Sequence, residues 1–247
     1  MKKTIGILGG MGPEATAHFL ELIIKNTKAS KDQEHIPVIV HNNPKIPARS
    51  DAILDKGESP LPLLLEGVRT LWGAGADFIA MPCVTAHYYW NDIMAREKVS
   101  FLNLLDETLL YAVKVLPEEQ RAGLIASTGT IKSRLFHDVF EKEGIEIITP
   151  DEKEQEQVME AIFGEEGIKA GYTAGRARET IHRVAASLIQ KGAKAVIAGC
   201  TEVPLVLKDD DIPVKLIDPL QVLAEVSILM AGYELKEKVK ECVRYER

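Results

Sequence analysis

Short, almost wholly apolar runs alternate along the chain with longer stretches in which apolar positions recur every three to four residues. The runs are Thr4–Leu8, Pro37–His41, Phe78–Met81, Arg121–Ala126, Ile145–Ile148, Lys194–Ala198 and Val214–Ile217. They are rich in Val, Ile and Leu and lack a polar face, as strands covered on both sides of a parallel sheet do. The periodic stretches Ala15–Lys28, Leu61–Gly73, Glu107–Val115, Ser133–Lys142 and Arg178–Lys191 predict helices. Regular alternation of the two predicts an α/β fold with right-handed crossovers. Asn42–Pro62 carries Pro44, Pro47, Gly57, Pro60 and Pro62 and reads as a long loop, of the kind that often carries function in a compact domain.

The pattern repeats. Gly6-Ile7-Leu8-Gly9-Gly10-Met11-Gly12 is echoed by Gly123-Leu124-Ile125-Ala126-Ser127-Thr128-Gly129, and the run from Gly75 to Cys83 by the run from Gly192 to Cys200; both echoes lie 117 positions downstream. A common offset for two separate motifs predicts two pseudo-symmetric lobes, each a mostly parallel sheet flanked by helices. The first is expected to hold 1–103 plus 213–247, because the last strand and helix have no evident counterpart in the second half. The second is expected to hold 104–212. Ligands of open α/β sheets bind outside the carboxyl ends of the strands, so Cys83 and Cys200 are expected to face one cleft between the lobes.

Composition narrows the function. The chain has 247 residues, 46% hydrophobic and 27% charged, with 30 Lys and Arg against 37 Asp and Glu, for a net charge of −7. An acidic chain without a basic block is a poor partner for nucleic acid or an anionic membrane surface. No apolar run approaches the ~20 residues that cross a bilayer, and the N-terminal run, broken at Gly9-Gly10-Met11-Gly12-Pro13, reads as a first strand rather than a signal peptide. Three cysteines without a CxxC pair argue against a disulfide framework or structural zinc, and the six histidines do not cluster at metal-ligand spacing. The expectation is a cytoplasmic enzyme with no metal. Gly10-Met11-Gly12-Pro13-Glu14-Ala15 matches the short dinucleotide pattern, but the second strand ends in His41-Asn42-Asn43 with no acid for a ribose. A tight turn placing Met11 near a small anionic substrate explains the glycines as well.

Cys83 and Cys200 each follow an apolar strand, precede a helix start and are followed, at one or two residues, by a threonine. Unpaired N–H groups at a helix start lower a thiol's pKa and hold a carboxylate. Buried inert thiols, or a disulfide between the two, are the alternative readings. Two opposed thiols suit the inversion of a carbon acid: one takes a proton from one face while the other delivers a proton to the opposite face, and a thiol serves in either form near neutral pH.

These residues carry a family resemblance. Ile5–Pro13, Asn43–Arg49, Met81–His87, Ala126–Ser133 and Gly199–Pro204 resemble the Asp/Glu racemase family, PLP-independent amino-acid racemases with two cysteines, and most of all its aspartate racemase branch. The resemblance implies a two-lobed fold, Cys83 and Cys200 as catalytic residues, no cofactor, and an acidic amino acid (aspartate, then glutamate) as the small-molecule partner; a homodimer is left open. It places Lys169 at a family lysine that contacts the distal carboxylate. Arg49, in the Pro-rich loop, is the candidate for a bidentate grip on that carboxylate. Thr85 and Thr201 are expected to donate to the α-carboxylate. Ser127, Thr128 and Thr130, in the counterpart of the Gly-rich turn, are expected to face the same cleft or to cap a helix. Glu202 is expected to orient Cys200, meet the substrate ammonium or cap the following turn. His87 reads as a helix-surface or core histidine and Cys242 as incidental. The chain departs from the family pattern at Val84, where an asparagine is usual, and at Ala48 in Pro47-Ala48-Arg49, where an aspartate is usual. Two other classes stay open: a related isomerase or decarboxylase chemistry on another carboxylate, and a non-catalytic amino-acid-binding protein.

Overall fold

Each apolar run becomes a strand, and those at the centres of the sheets are covered on both faces. The computed structural model describes residues 2–116 and 120–236; Cys242 and the rest of the charged tail lie outside the described residues. In chain order the first half runs β1 (Ile5–Gly9), α1 (Pro13–Asn26), β2 (Val38–Asn42), α2 (Arg49–Ile53), α3 (Leu61–Gly73), β3 (Phe78–Ala80), α4 (Trp90–Met94) and α5 (Leu104–Val115). The second half runs β4 (Arg121–Ile125), α6 (Thr128–Lys132), α7 (Leu135–Phe140), β5 (Glu146–Ile148), α8 (Glu152–Phe163), α9 (Arg176–Gln190), β6 (Ala195–Ala198), α10 (Val203–Val206), β7 (Lys215–Ile217) and α11 (Pro219–Met230).

The strands form two parallel sheets, β2-β1-β3 and β5-β4-β6-β7. The central strands β1, β3 and β6 are buried along their whole length, whereas the edge strands β2 and β5 are partly exposed. The echoed motifs occupy equivalent places: β1 and β4 are the centres of their sheets, with β3 and β6 beside them. Two parallel sheets flanked by helices are the architecture that the alternation predicts. Among the described residues no helix is long and apolar enough to cross a membrane.

One expectation is corrected. Strand β7, assigned above to the first lobe with 213–247, pairs in parallel with β6 in the second sheet. The corresponding edge of the first sheet is already taken: Ile79 N–H donates to the Ser100 carbonyl at 2.8 Å and Leu102 N–H to the Ile79 carbonyl at 2.9 Å, with a parallel bridge between Ile79 and Phe101. The segment at Phe101 is therefore the first lobe's counterpart of β7. The helices that follow match as well. Asn103 caps α5 by accepting from the Leu105 N–H, and Asp218 caps α11 by accepting from the Leu220 N–H. Each of these helices crosses over: α5 packs on α7 of the second half, α11 packs on α1 of the first, and the two pack on each other. One apolar core consequently joins Ile5 and Phe19 to Leu105, Leu124, Phe136 and Leu223, so both sheets rest on a shared centre.

Candidate active site

The carboxyl ends of β1, β2, β3 and β6 converge on a cavity of about 490 Å³ between the lobes. The first lobe contributes the turn Gly10–Pro13, then Arg49, Ser50 and Asp51 of α2, and Cys83, Val84 and Thr85 after β3. The second contributes Gly199–Glu202 after β6, Lys169, and Met159 and Phe163 of α8. Cys83 and Cys200 are both buried free thiols, and both line this cavity. The two halves of the repeat thus bring their cysteines to the same space.

The Gly-rich turn has a packing reason. Gly10 has φ +96°, and a Cβ there would lie 2.3 Å from the backbone of Asn43. Its N–H donates to the Thr16 hydroxyl at 2.9 Å. The turn brings the end of β1 against the start of the Pro-rich loop, and that close approach needs glycine.

At Cys200 the thiol donates to Glu202 Oε2 at 2.8 Å, and the Thr201 hydroxyl reaches the same oxygen at 3.3 Å. The other oxygen, Oε1, takes the Lys169 ammonium. Burial, reinforced by the Glu202 carboxylate, pushes the Cys200 thiol well above its ordinary pKa. Burial works against the charge on Lys169, yet Glu202, with a further contribution from Cys200, holds the ammonium above the usual lysine value. Of the three expectations for Glu202, orientation of Cys200 matches its hydrogen bonds; its side chain makes no cap bond to α10.

Cys83 is held differently. The His87 imidazole is buried with Nδ1 2.9 Å from the Cys83 carbonyl, while Nε2 is 3.2 Å from the Leu104 N–H. Because Nε2 must accept from the amide, Nδ1 carries the hydrogen and donates to Cys83. Burial lowers the His87 pKa to about 4, so the ring is neutral and clamps the Cys83 loop to the first turn of α5. It is a satisfied core histidine.

Arg49 lines the cavity, but three of its donors are committed. Nη1 donates to the Ile46 and Pro47 carbonyls at 3.3 and 3.1 Å, and Nη2 to the Met11 carbonyl at 3.0 Å; Nε is buried without a partner. The guanidinium therefore ties the Pro-rich loop to the Gly-rich turn as well as facing the cleft. Met11 is buried on the cavity wall and Val84, 2% exposed, presents only methyl groups where a polar residue was usual.

Of the two expectations for Ser127, Thr128 and Thr130, facing the cleft or capping a helix, the first is not met, since none of the three lines the cavity. Ser127 caps α6 by accepting from the Thr130 N–H. The Thr85 hydroxyl is 2.9 Å from that of Thr130 and 3.4 Å from that of Ser127, and the Ser50 hydroxyl donates to Ser127 at 3.3 Å. These hydroxyls stitch the lobes together behind the cavity. Thr128 lines a neighbouring groove with Met159 and Phe163 and accepts from Gln155 Nε2 at 3.2 Å. Sequence reasoning missed Ser50, Met159 and Phe163; the two α8 side chains are ordinary apolar residues in a polar helix and carried no chemical signal. Among the described residues no group of three or more His, Cys, Asp and Glu side chains is placed to hold a metal ion.

The family model for Asp/Glu/hydantoin racemases matches residues 8–226. The chain is 28% identical to the broad specificity amino-acid racemase RacX of Bacillus subtilis (strain 168), over 91% of this chain and 96% of that one. Its fold superposes on the Picrophilus torridus aspartate racemase with a TM-score of 0.85 and 31% identity, covering 97% of both chains. A putative Asp/Glu racemase from Yersinia pestis gives 0.77 and 25% identity, over 93% of this chain and 99% of that one.

Proposed function

The chain belongs to the Asp/Glu/hydantoin racemase family, and on that premise we propose that this amino-acid racemase interconverts the enantiomers of an acidic amino acid, aspartate first and glutamate second, by proton transfer at Cα between Cys83 and Cys200. The observation that carries the reading is that the two thiols, from equivalent strand ends of the two lobes, line one cavity.

In one direction the Cys83 thiolate takes the Cα proton as the C–H bond breaks, and the electron pair passes into the α-carboxylate. The Cys200 thiol then gives its proton to the opposite face of Cα. Cys200 is suited to that acid role, since burial and Glu202 keep it protonated. In the other direction Cys200 must first lose its proton, and the Glu202 carboxylate, 2.8 Å from the sulfur, is the acceptor in place. Thr85 and Thr201, both on the cavity wall, are the donors for the α-carboxylate as charge develops there. Arg49 takes the side-chain carboxylate with the donors left over from its three carbonyl bonds. Lys169 neutralises Glu202 and adds positive charge beside it. No cofactor is needed for a proton transfer of this kind.

L- and D-aspartate, incubated separately, are expected to converge on the same optical rotation. Arg49→Ala should weaken handling of aspartate by about 2–5 kcal/mol, the cost of removing one partner of a desolvated charge pair, while alanine and serine are affected far less. Thermal stabilisation by aspartate without turnover would instead mark a binding protein. Turnover of a nitrogen-free dicarboxylate alone would mark a related chemistry in which the Val84 methyls meet a substrate lacking an α-amino group.

A further inference from the structure

A second cavity, of about 340 Å³, lies where α1, α5 and α11 meet the segment from Pro204 to Asp218, and it shares no lining residue with the catalytic cavity. Glu225, 3% exposed, lies on its wall. One carboxyl oxygen accepts from Gln221 Nε2 at 2.6 Å, and the other is buried without a partner. Asp218 stands on the same wall and accepts from the Leu220 N–H at 2.9 Å. The cationic groups of the wall are engaged elsewhere: Lys208 on the Pro204 carbonyl, Lys215 on Asp209 at 2.7 Å, and His18 on Glu21 at 3.3 Å.

A buried carboxyl oxygen without a donor is costly, and the cost falls when a cation or donor reaches it. We infer that this cavity binds a small organic ammonium ion, with its N–H groups on Glu225 and its hydrocarbon part against Leu22, Leu207 and Val222. The volume is several times the roughly 30 Å³ share of one water, so the space suits an organic cation with a stem. The mixture of one free carboxylate oxygen and apolar walls suits an ammonium better than a metal ion, which asks for several oxygen ligands. Burial, together with the charge on Asp218, pushes the Glu225 carboxyl up to about 7 even against the Gln221 bond and the charge on Lys215, so an ammonium binds best above that pH. The cavity also touches Pro204 and Leu207, at the far side of the α10 segment that begins beside Glu202.

The test follows thermal unfolding of the full chain at pH 8 with n-butylammonium chloride, 1-butanol or sodium chloride at equal millimolar concentration. The ammonium is expected to raise the melting temperature by about 2–4 °C near saturation, and the alcohol and the salt to leave it unchanged. Glu225→Gln, which keeps the shape and removes the charge, should abolish the rise. Leu22→Trp, which fills the cavity from a partly exposed position, should do the same, and decides alone if the first variant does not fold. No rise with the ammonium, an equal rise with 1-butanol or sodium chloride, or a rise that survives the substitutions overturns the inference. None of these outcomes depends on racemisation.

Discussion

At Cys200 three side chains form one hydrogen-bonded unit: a thiol donating to Glu202, and Glu202 held on its other oxygen by Lys169. The thiol pKa stands high because burial and the carboxylate disfavour a second negative charge. In the direction where Cys200 is the base, the rate should therefore climb with pH into the alkaline range, as the thiolate fraction grows. Glu202→Gln removes the carboxylate charge and leaves the Lys169 ammonium, so the climbing limb should move to lower pH. The pH dependence of Cα deuterium exchange for that enantiomer reads the shift, and an unmoved limb would mean that the Glu202 carboxylate does not hold the thiol high. Much of this unit was legible before the structure. Cys83 and Cys200 stand out through their shared offset, and Glu202 through its distance of two residues from a cysteine. The carbonyl bonds of Arg49 were not legible, because they depend on how the Pro-rich loop folds back on Met11. Nor was the withdrawal of Ser127 and Thr130 behind the wall, since a hydroxyl that caps a helix and one that faces a ligand look alike in sequence.

Elements come together at His87, which joins the Cys83 loop to the start of α5. Its pKa falls to about 4 by burial, against about 6.5 in an unfolded chain. The unfolded chain then binds a proton that the folded one refuses, so stability is complete above pH 6.5 and is lost as pH falls toward 4. The loss amounts to about 3 kcal/mol for this one group. Melting curves between pH 7 and pH 4 should show it, and His87→Gln should flatten that part of the profile while lowering stability at pH 7 by about 1–3 kcal/mol through its poorer fit to the two backbone groups. An unchanged acid slope in the variant would mean that the slope arises elsewhere. Strands were the most legible elements, because double-faced burial leaves apolar runs with little ambiguity; their ends shift by at most one residue. Helix α2 was hidden inside a stretch read as loop on account of its prolines. Strand β7 was recognised, but its sheet was not. Which edge a strand joins is decided by which edge is open, and here the segment at Phe101 had already closed the first lobe's edge.

At the scale of the molecule, the repeat gives two sheets and two crossover helices, α5 and α11, each packed on the other half. The cavity lined by both thiols forms where the corresponding strand ends face each other, and Gly129 marks how closely the lobes approach: a Cβ there would sit 2.7 Å from the Ser50 hydroxyl of the first lobe. A reaction that exchanges the two faces of one carbon fits a fold whose halves present one thiol each, although their surroundings differ, Cys83 being fixed through a backbone carbonyl and Cys200 through a carboxylate. The central claim is that each thiol serves one face. It is tested by replacing Cys83 and Cys200 singly with alanine and following L- and D-aspartate in deuterated water. Net racemisation should stop in both variants, and each should exchange the Cα proton of one enantiomer only, the two variants retaining opposite ones. Racemisation that survives in either variant, or exchange of the same enantiomer in both, would contradict the two-thiol account.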